Sequence, residues 1–195
     1  MSQLHLNPWH WLLTAAFFFI VSGFWSAGGG PEELAAVLLV SYLLARVAFF
    51  PLKRYLFNKA VMFDMGGVVT QGDFYTEVLT EMPGMRDLIE RLKVHYKVAM
   101  LTNNNALGFE PFNRKFGFSQ LFDEVIVSGK EGVKKPDEKI FQIALYKLNV
   151  KAQNAYFLDD TSANVDAAKK LGIHGIVFTD AKSAEECLKK AGLRF

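Results

Sequence analysis

The sequence predicts an α/β domain with a doubly wound parallel sheet, preceded by a two-helix transmembrane hairpin. Before residue 60 the chain is almost entirely apolar or aromatic, whereas short apolar runs alternate with amphipathic helical patterns after it. Near-continuous apolar strands joined by helical crossovers are typical of a parallel sheet that helices cover on both faces. We therefore divide the chain into a hairpin, 1–59, and a folded domain, 60–195.

Two apolar runs form the predicted hairpin, with spans at about 9–26 and 33–52. As helices they would be about 25–29 Å long, close to the hydrocarbon thickness of a bilayer. A glycine-rich turn ending at Pro31 separates them. Because both runs are apolar all round, membrane insertion is favoured over a hairpin packed on the soluble domain. A cleaved signal peptide is disfavoured, since no basic region precedes the first run.

Basic residues predict the orientation of this hairpin. Lys53, Arg54 and Lys59 follow the second span, and the connecting turn has no basic residue. The positive-inside rule then places both termini and the folded domain in the cytoplasm. Arg46 and several small residues in the second span leave homo-oligomer formation through the hairpin open.

The charge of the folded domain argues against nucleic acid as a partner. Residues 60–195 carry equal numbers of acidic and basic residues, and a nucleic-acid binder usually has a basic surplus on its folded domain. Cys187 is the one cysteine, so no intrachain disulfide forms, which fits a reducing compartment.

Five strands and five helices are predicted in the folded domain, in a Rossmann-like alternation. The strands are 60–63, 97–101, 124–127, 155–158 and 175–178, and the helices lie near 84–94, 106–116, 137–148, 162–171 and 183–191. In such sheets the ligand binds beyond the carboxyl ends of the strands.

Polar residues stand at these carboxyl ends. Asp64 follows the first strand, Thr102 and three asparagines follow the second, and Asp159 and Asp160 follow the fourth. Two adjacent acids repel each other unless a cation or hydrogen-bond donors compensate them. The sequence therefore predicts a ligand site at this edge of the sheet, where a cation or hydrogen-bond donors compensate the acids.

Four segments of the folded domain resemble the motifs of the haloacid dehalogenase superfamily, in the expected order. They are 61–68 (VMFDMGGV), 101–103 (LTN), 132–137 (GVKKPD) with Ile140 and Phe141 after it, and 157–165 (FLDDTSANV). The resemblance spans nearly all of 60–195 and none of 1–59. It implies a phosphatase-type core without a cap domain.

The resemblance also implies a set of site residues. Asp64 would be the nucleophile that forms an aspartyl-phosphate, with Thr102 and Lys135 as further catalytic residues. Lys134 is the weaker candidate, because the family lysine directly precedes the proline. The groups expected to bind phosphate belong to Met65, Gly66, Thr102, Asn103 and Lys135.

A magnesium ion is the cofactor that the resemblance implies. Its expected ligands are Asp64, the carbonyl of Gly66 and Asp160, with Asp159 helping directly or through water. The paired acids favour phosphoryl chemistry over dehalogenation.

The sequence departs from the family pattern at Gly66, where most phosphatases of the superfamily have a second aspartate that transfers protons. From the motifs and the hairpin together, the predicted function is a Mg²⁺-dependent phosphohydrolase at the cytoplasmic membrane face. The alternative is a catalytically weak or inactive membrane adaptor that binds phosphate or a partner.

The segment between Asp64 and Thr102 is too short for a cap domain, and 71–81 predicts a small flap. An open site suits a phosphorylated small molecule, a lipid headgroup or a membrane-bound protein.

Overall fold

The computed structural model describes Gly30 and residues 58–73 and 78–195. The chain divides into two compact units, Met1–Pro51 and Leu52–Phe195. Both predicted membrane spans, 9–26 and 33–52, lie outside the described residues, so the hairpin stays a prediction. Within the described ranges, no helix has the length and apolar character that a membrane crossing requires.

The described part of the second unit alternates strands and helices, as the sequence predicts. In chain order the elements are β1 (Ala60–Phe63), β2 (Thr70–Asp73), β3 (Val78–Glu81), α1 (Met85–His95), β4 (Lys97–Thr102), α2 (Ala106–Phe116), α3 (Phe118–Leu121), β5 (Glu124–Val127), α4 (Ser128–Glu131), α5 (Glu138–Leu148), a 3₁₀ turn (Ala152–Asn154), β6 (Ala155–Asp159), α6 (Ser162–Lys170), β7 (His174–Val177) and α7 (Ala181–Lys190).

Five parallel strands form the main sheet in the order β5-β4-β1-β6-β7. The predicted doubly wound parallel sheet is confirmed. Every residue of β1, β4 and β6 is buried, which explains why these strands are apolar almost throughout. Phe63 pairs with Leu158, so the next residues, Asp64 and Asp159, lie at the same level of the carboxyl edge of the sheet.

Side chains alternate between two core layers along the central strand. Val61 and Phe63 join the layer that contains Leu88 of α1, while Met62 joins the layer that contains Phe141 of α5. Each large apolar side chain buried in this way stabilises the fold by about 1.5–3 kcal/mol. The sheet is thus a rigid base for the residues at its carboxyl edge.

The predicted flap is a two-stranded antiparallel ribbon formed by β2 and β3. Its base is tied to the loop after β1, because the buried Thr70 donates its hydroxyl to the Met65 carbonyl and Gly67 N–H donates to the Thr70 carbonyl at 2.8 Å. The start of the ribbon therefore helps to hold the loop that follows Asp64.

Candidate active site

A buried lysine lies between two carboxylates at the carboxyl edge of the sheet. Lys135 Nζ is 2.7 Å from Asp64 Oδ1 and 2.6 Å from Asp159 Oδ2. The side chains of Lys135 and Asp159 are 1% and 0% exposed, whereas that of Asp64 is 14% exposed. Asp64 is therefore the member of this cluster that solvent and a ligand can reach.

Asp64 is held in place by the sheet itself. Its N–H donates to the Leu158 carbonyl at 2.8 Å, which extends the pairing of β1 and β6 by one bond. The pKa of Asp64 is raised to about 6, chiefly because the carboxyl group is buried; Lys135 acts to lower this pKa and the nearby Asp159 carboxylate acts to raise it. Ionised Asp64 is thus costly without additional positive charge, which is the condition that a cation would relieve.

Asp159 is saturated by donors from the protein. Its Oδ1 accepts the Thr161 N–H at 2.8 Å, Asn164 Nδ2 lies 3.1 Å from both carboxylate oxygens, and Lys135 binds Oδ2. A carboxylate that accepts this many hydrogen bonds has few lone pairs left for a metal ion. The contacts of Asp159 favour a role in holding Lys135.

Asp160 lies beside Asp159 in the chain but is exposed, and Thr161 Oγ1 donates to its Oδ1 at 3.3 Å. Its other oxygen lies against the α-carbon of Gly67, where a Cβ would come within 2.0 Å of Oδ2. Gly67 also has a φ of 73°, a conformation that favours glycine. The absence of a side chain at Gly67 therefore leaves the space that the Asp160 carboxylate occupies.

The carboxylates of Asp64, Asp159 and Asp160 offer oxygen atoms within 4.8 Å of one another. With the ammonium of Lys135 they carry a net charge of −2 when all four groups are ionised. Oxygen donors with surplus negative charge fit a hard divalent cation such as Mg²⁺, which usually takes one or two carboxylates and several waters. Asp64 and Asp160 are the two with oxygens available to hold it.

The remaining predicted residues lie on adjacent loops. Thr102 is buried at the end of β4, and the exposed Asn103 binds the main chain of Lys135 through its side-chain amide. Met65 is buried in the loop after β1, and Gly66 forms an isolated bridge with Thr70. The predicted catalytic, phosphate-binding and metal-binding roles stay predictions.

Sequence reasoning assigned no role to Asn164, which is 8% exposed in the first turn of α6. Its signal in the sequence is its position, five residues after Asp159. A polar side chain at a helix start is ordinarily explained by capping, so pattern alone could not connect it with the lysine.

A cavity of about 670 Å³ opens beside the site, between the loop after β4 and the α4 region. Its lining residues are Asn103, Asn104, Asn105, Ser128, Gly129, Gly132, Val133 and Lys134. The two walls are joined by hydrogen bonds: Ser128 Oγ donates to the Asn104 carbonyl at 3.0 Å and Gly129 N–H donates to the same carbonyl at 2.9 Å.

The sequence of this chain matches the model of a known protein family. The model of the family described as haloacid dehalogenase-like hydrolase matches residues 68–178, more than half of the chain. The chain belongs to this family. The matched range includes Thr102, Lys135, Asp159 and Asp160, and it begins just after Asp64.

Among curated relatives of this haloacid dehalogenase-like hydrolase is the glyceraldehyde 3-phosphate phosphatase of Pyrococcus abyssi. It is 32% identical over 118 residues, which are 60% of this chain and 50% of that protein. The phosphorylated carbohydrates phosphatase of Thermotoga maritima is 29% identical over 103 residues, 52% of this chain and 48% of that protein. The chain thus spans about half the length of these relatives.

Solved structures share the fold. An uncharacterized protein from Corynebacterium glutamicum is 25% identical with a TM-score of 0.58, covering 71% of this chain and 98% of that one. A haloacid dehalogenase family enzyme from Bacteroides thetaiotaomicron, solved with magnesium and inorganic phosphate, is 18% identical with a TM-score of 0.56. The latter similarity covers 63% of this chain and 94% of that one.

Proposed function

We propose that the protein is a Mg²⁺-dependent phosphatase that hydrolyses phosphate monoesters through a covalent aspartyl-phosphate on Asp64. The observation that carries this proposal is the partly exposed Asp64 carboxylate, held 2.7 Å from the buried ammonium of Lys135 and beside the exposed carboxylate of Asp160. The proposed nucleophile, a positive charge and a proposed metal ligand thereby lie at one edge of the sheet.

In the first step, an oxygen of Asp64 attacks the phosphorus while the bond from phosphorus to the leaving-group oxygen breaks. In the second step, a water oxygen attacks the phosphorus of the aspartyl-phosphate, which releases inorganic phosphate and restores the carboxylate. Lys135 offsets negative charge at Asp64 and on the transferred group. Mg²⁺ held by Asp64 and Asp160 would supply the additional positive charge that lets two anions approach each other.

Gly66 determines what this site lacks. Without an aspartate at this position, another group or a water has to protonate the leaving oxygen and to take the proton from the water of the second step. Positioned acid–base groups are typically worth about 10²–10⁴-fold in rate. We therefore expect the rate to depend steeply on the leaving group when the leaving group is poor, and phosphorylated Asp64 to accumulate during turnover when the leaving group is good.

The test of this function is phosphate release from a panel of aryl, sugar and lipid phosphates in the presence of Mg²⁺. Asp64→Asn should abolish the release, because an amide is a poor nucleophile. Asp166→Asn is the matched control, since the Asp166 side chain is 67% exposed on α6. Equal release from the wild type and Asp64→Asn across the panel would remove the proposed mechanism.

For the substrate we propose a phosphorylated small molecule or a lipid headgroup. The relatives named above act on glyceraldehyde 3-phosphate and phosphorylated carbohydrates, and a further relative, 33% identical over 98 residues, is a sesquiterpene phosphatase of Aspergillus oryzae. A substrate with a long apolar part would suit a domain that the hairpin holds at the cytoplasmic leaflet. In the panel, preference for a lipid phosphate over a sugar phosphate supports the lipid headgroup, and the reverse preference supports the phosphorylated small molecule.

Gly66 also supports a second candidate, an adaptor that binds phosphate or a partner without efficient turnover. Beryllium fluoride with Mg²⁺ imitates a phosphorylated aspartate, and a ligand that binds only the folded state raises the melting temperature. An increase in the wild type that Asp64→Asn lacks supports the phosphatase. No increase in either protein favours the adaptor.

The membrane location is proposed from the sequence of residues 1–59. Lys53, Arg54 and Lys59 support a cytoplasmic folded domain. Protease treatment of sealed, right-side-out vesicles that contain the full chain should leave the domain intact, whereas inverted vesicles should lose it. Recovery of the full chain in the soluble fraction without detergent would contradict the location.

A further inference from the structure

The proposed function places Lys135 at the centre of the site, and the structure contains a device that holds its main chain. Asn103 Nδ2 donates to the Lys135 carbonyl at 2.9 Å, and the Lys135 N–H donates to Asn103 Oδ1 at 2.9 Å. One side-chain amide therefore satisfies both main-chain groups of the lysine. Residues 32 positions apart in the chain are joined in this way.

The far end of the same lysine is held by a second asparagine through a carboxylate. The Lys135 ammonium binds Asp159, and Asn164 Nδ2 lies 3.1 Å from both oxygens of Asp159. The ring of Phe157 lies beneath the ammonium, with its centroid 5.4 Å from Nζ. Lys135 is thus held at its backbone by the loop after β4 and at its tip by Asp159, which Asn164 of α6 contacts in turn.

The amide of Asn103 has little capacity left for a ligand. An asparagine amide offers one carbonyl oxygen and one NH₂ group, and here each of these atoms already binds Lys135. Binding of phosphate by this side chain would have to use its second N–H. The geometry points instead to an indirect role through the lysine.

We propose that Asn103 is a positioning residue that clamps the main chain of Lys135, with Asn164 as its counterpart at the tip of the side chain. A lysine has a long flexible stem, so a correctly placed ammonium needs both an anchored backbone and a fixed partner. Asn103 supplies the first and Asn164, through Asp159, the second. Loss of either lets the ammonium move away from Asp64, and a displacement of about 1 Å can lower a rate by about 10²-fold.

The proposal is tested by the dissociation constant for inorganic phosphate, measured calorimetrically on the full chain with Mg²⁺, together with kcat for an aryl phosphate. Asn103→Ala should weaken phosphate binding and lower kcat by about tenfold or more. In a Lys135→Met background, Asn103→Ala should change phosphate binding less than twofold, because the ammonium that the clamp positions is gone. If Asn103 contacts phosphate directly, Asn103→Ala weakens phosphate binding in the Lys135→Met background as much as in the wild type. This result would overturn the clamp.

Two further variants keep the test decisive if Lys135→Met does not fold. Asn103→Asp retains an acceptor for the Lys135 N–H but loses the donor to its carbonyl, so its kcat should fall between those of the wild type and Asn103→Ala. Asn103→Ala combined with Asn164→Ala should lose less than the product of the two single losses, since both act on one lysine. A loss in the double variant equal to the product of the two single losses would contradict the proposal that both asparagines act on Lys135.

Asn104→Ala is the matched control, since Asn104 is the next residue and its hydrogen bonds with Ser128 are made by its main chain. It should leave phosphate binding and kcat within twofold. Wild-type turnover tests the proposed function separately. Normal turnover in Asn103→Ala therefore counts against the clamp and leaves the phosphatase mechanism standing.

Discussion

Two adjacent carboxylates, Asp159 and Asp160, lie in contrasting regions of the same site. Asp159 belongs to a buried floor, where Lys135, Asn164 and the Thr161 N–H saturate its oxygens. Asp160 belongs to an exposed rim, where its carboxylate rests against Gly67. Among the described residues no buried side-chain nitrogen or oxygen lacks a hydrogen-bond partner, so the floor is complete without a ligand. The rim is the region that a metal ion would complete.

Asp159 and Asp160 therefore have different energetic roles, although both are acids at the end of the same strand. Removing one partner of a buried ion pair leaves an uncompensated charge and costs about 3–5 kcal/mol, whereas an exposed substitution usually changes stability by less than about 0.5 kcal/mol. Asp159 should therefore matter to the fold, and Asp160 to the metal.

The largest expected effect is the difference between Asp159→Asn and Asp160→Asn. Without metal, Asp159→Asn should lower the free energy of unfolding by about 3 kcal/mol, because Lys135 loses a buried partner and the new NH₂ group faces other donors. Asp160→Asn should leave it unchanged or slightly raised, while its Mg²⁺ affinity falls at least about tenfold. Urea unfolding and calorimetric titration with Mg²⁺ measure the two quantities. Equal loss of stability in both variants would erase the distinction between floor and rim.

The second effect concerns Asp64, which joins the two regions, and it depends on pH. Because the pKa of Asp64 is raised to about 6 in the folded protein, the native state binds a proton more tightly than the unfolded chain. The resulting stabilisation is fully present below the ordinary pKa of 3.8 and is lost as the pH rises through about 6. Asp64→Asn has no such loss, so in metal-free buffer it should become more stable than the wild type above pH 6.

Each pKa unit corresponds to about 1.4 kcal/mol, so the gain of Asp64→Asn over the wild type should reach about 1–3 kcal/mol at neutral pH. Thermal unfolding between pH 4 and pH 8 with a chelator present measures it. Saturating Mg²⁺ should reverse the ranking, because the ion stabilises only the ionised wild type. A difference that does not vary with pH would mean that Asp64 is ionised without cost.

The smallest effect concerns Gly67, where the test distinguishes the space that the missing side chain leaves from the left-handed backbone conformation. A Cβ at Gly67 would meet the Asp160 carboxylate, so Gly67→Ala should displace it and weaken Mg²⁺ binding about tenfold or more. The left-handed backbone adds about 1–2 kcal/mol of strain. Gly192→Ala is the matched control, since Gly192 has a φ of 84° with nothing within 4 Å of an added Cβ. Gly192→Ala should lower stability by a similar amount but leave the Mg²⁺ affinity unchanged.

The residue at position 66 provides a gain-of-function test of the same site. Gly66→Asp introduces a carboxylic acid where the family usually has one, so it should raise the rate most for substrates with poor leaving groups. A plot of log kcat against leaving-group pKa should become flatter in the variant than in the wild type. Parallel plots would show that the missing acid does not limit the wild type.

Much of the fold was predictable, because apolar strands and amphipathic helices have distinct local patterns. The parallel sheet followed from that alternation, and the positions of Asp64, Thr102 and Asp159 followed from their location at strand ends. These features depend on short stretches of chain. The hairpin at 1–59 stays a prediction.

The division of labour within the site was not predictable from local pattern. Asp159 and Asp160 are adjacent and chemically identical, and only the direction of each side chain shows which one binds Lys135. Gly67 leaves room for the Asp160 carboxylate, a contact between distant parts of the chain that no local pattern indicates. The link from Asn103 to Lys135 joins distant parts of the chain, so it arises only from tertiary packing.

The most direct measurement is mass analysis of the full chain after rapid mixing with an aryl phosphate and Mg²⁺ and quenching in acid. We expect one added phosphoryl group, located on the peptide that contains Asp64, present during steady-state turnover and absent without Mg²⁺ or in Asp64→Asn. Phosphate release with no phosphoryl group on Asp64, or with one on another residue, would contradict the proposed mechanism.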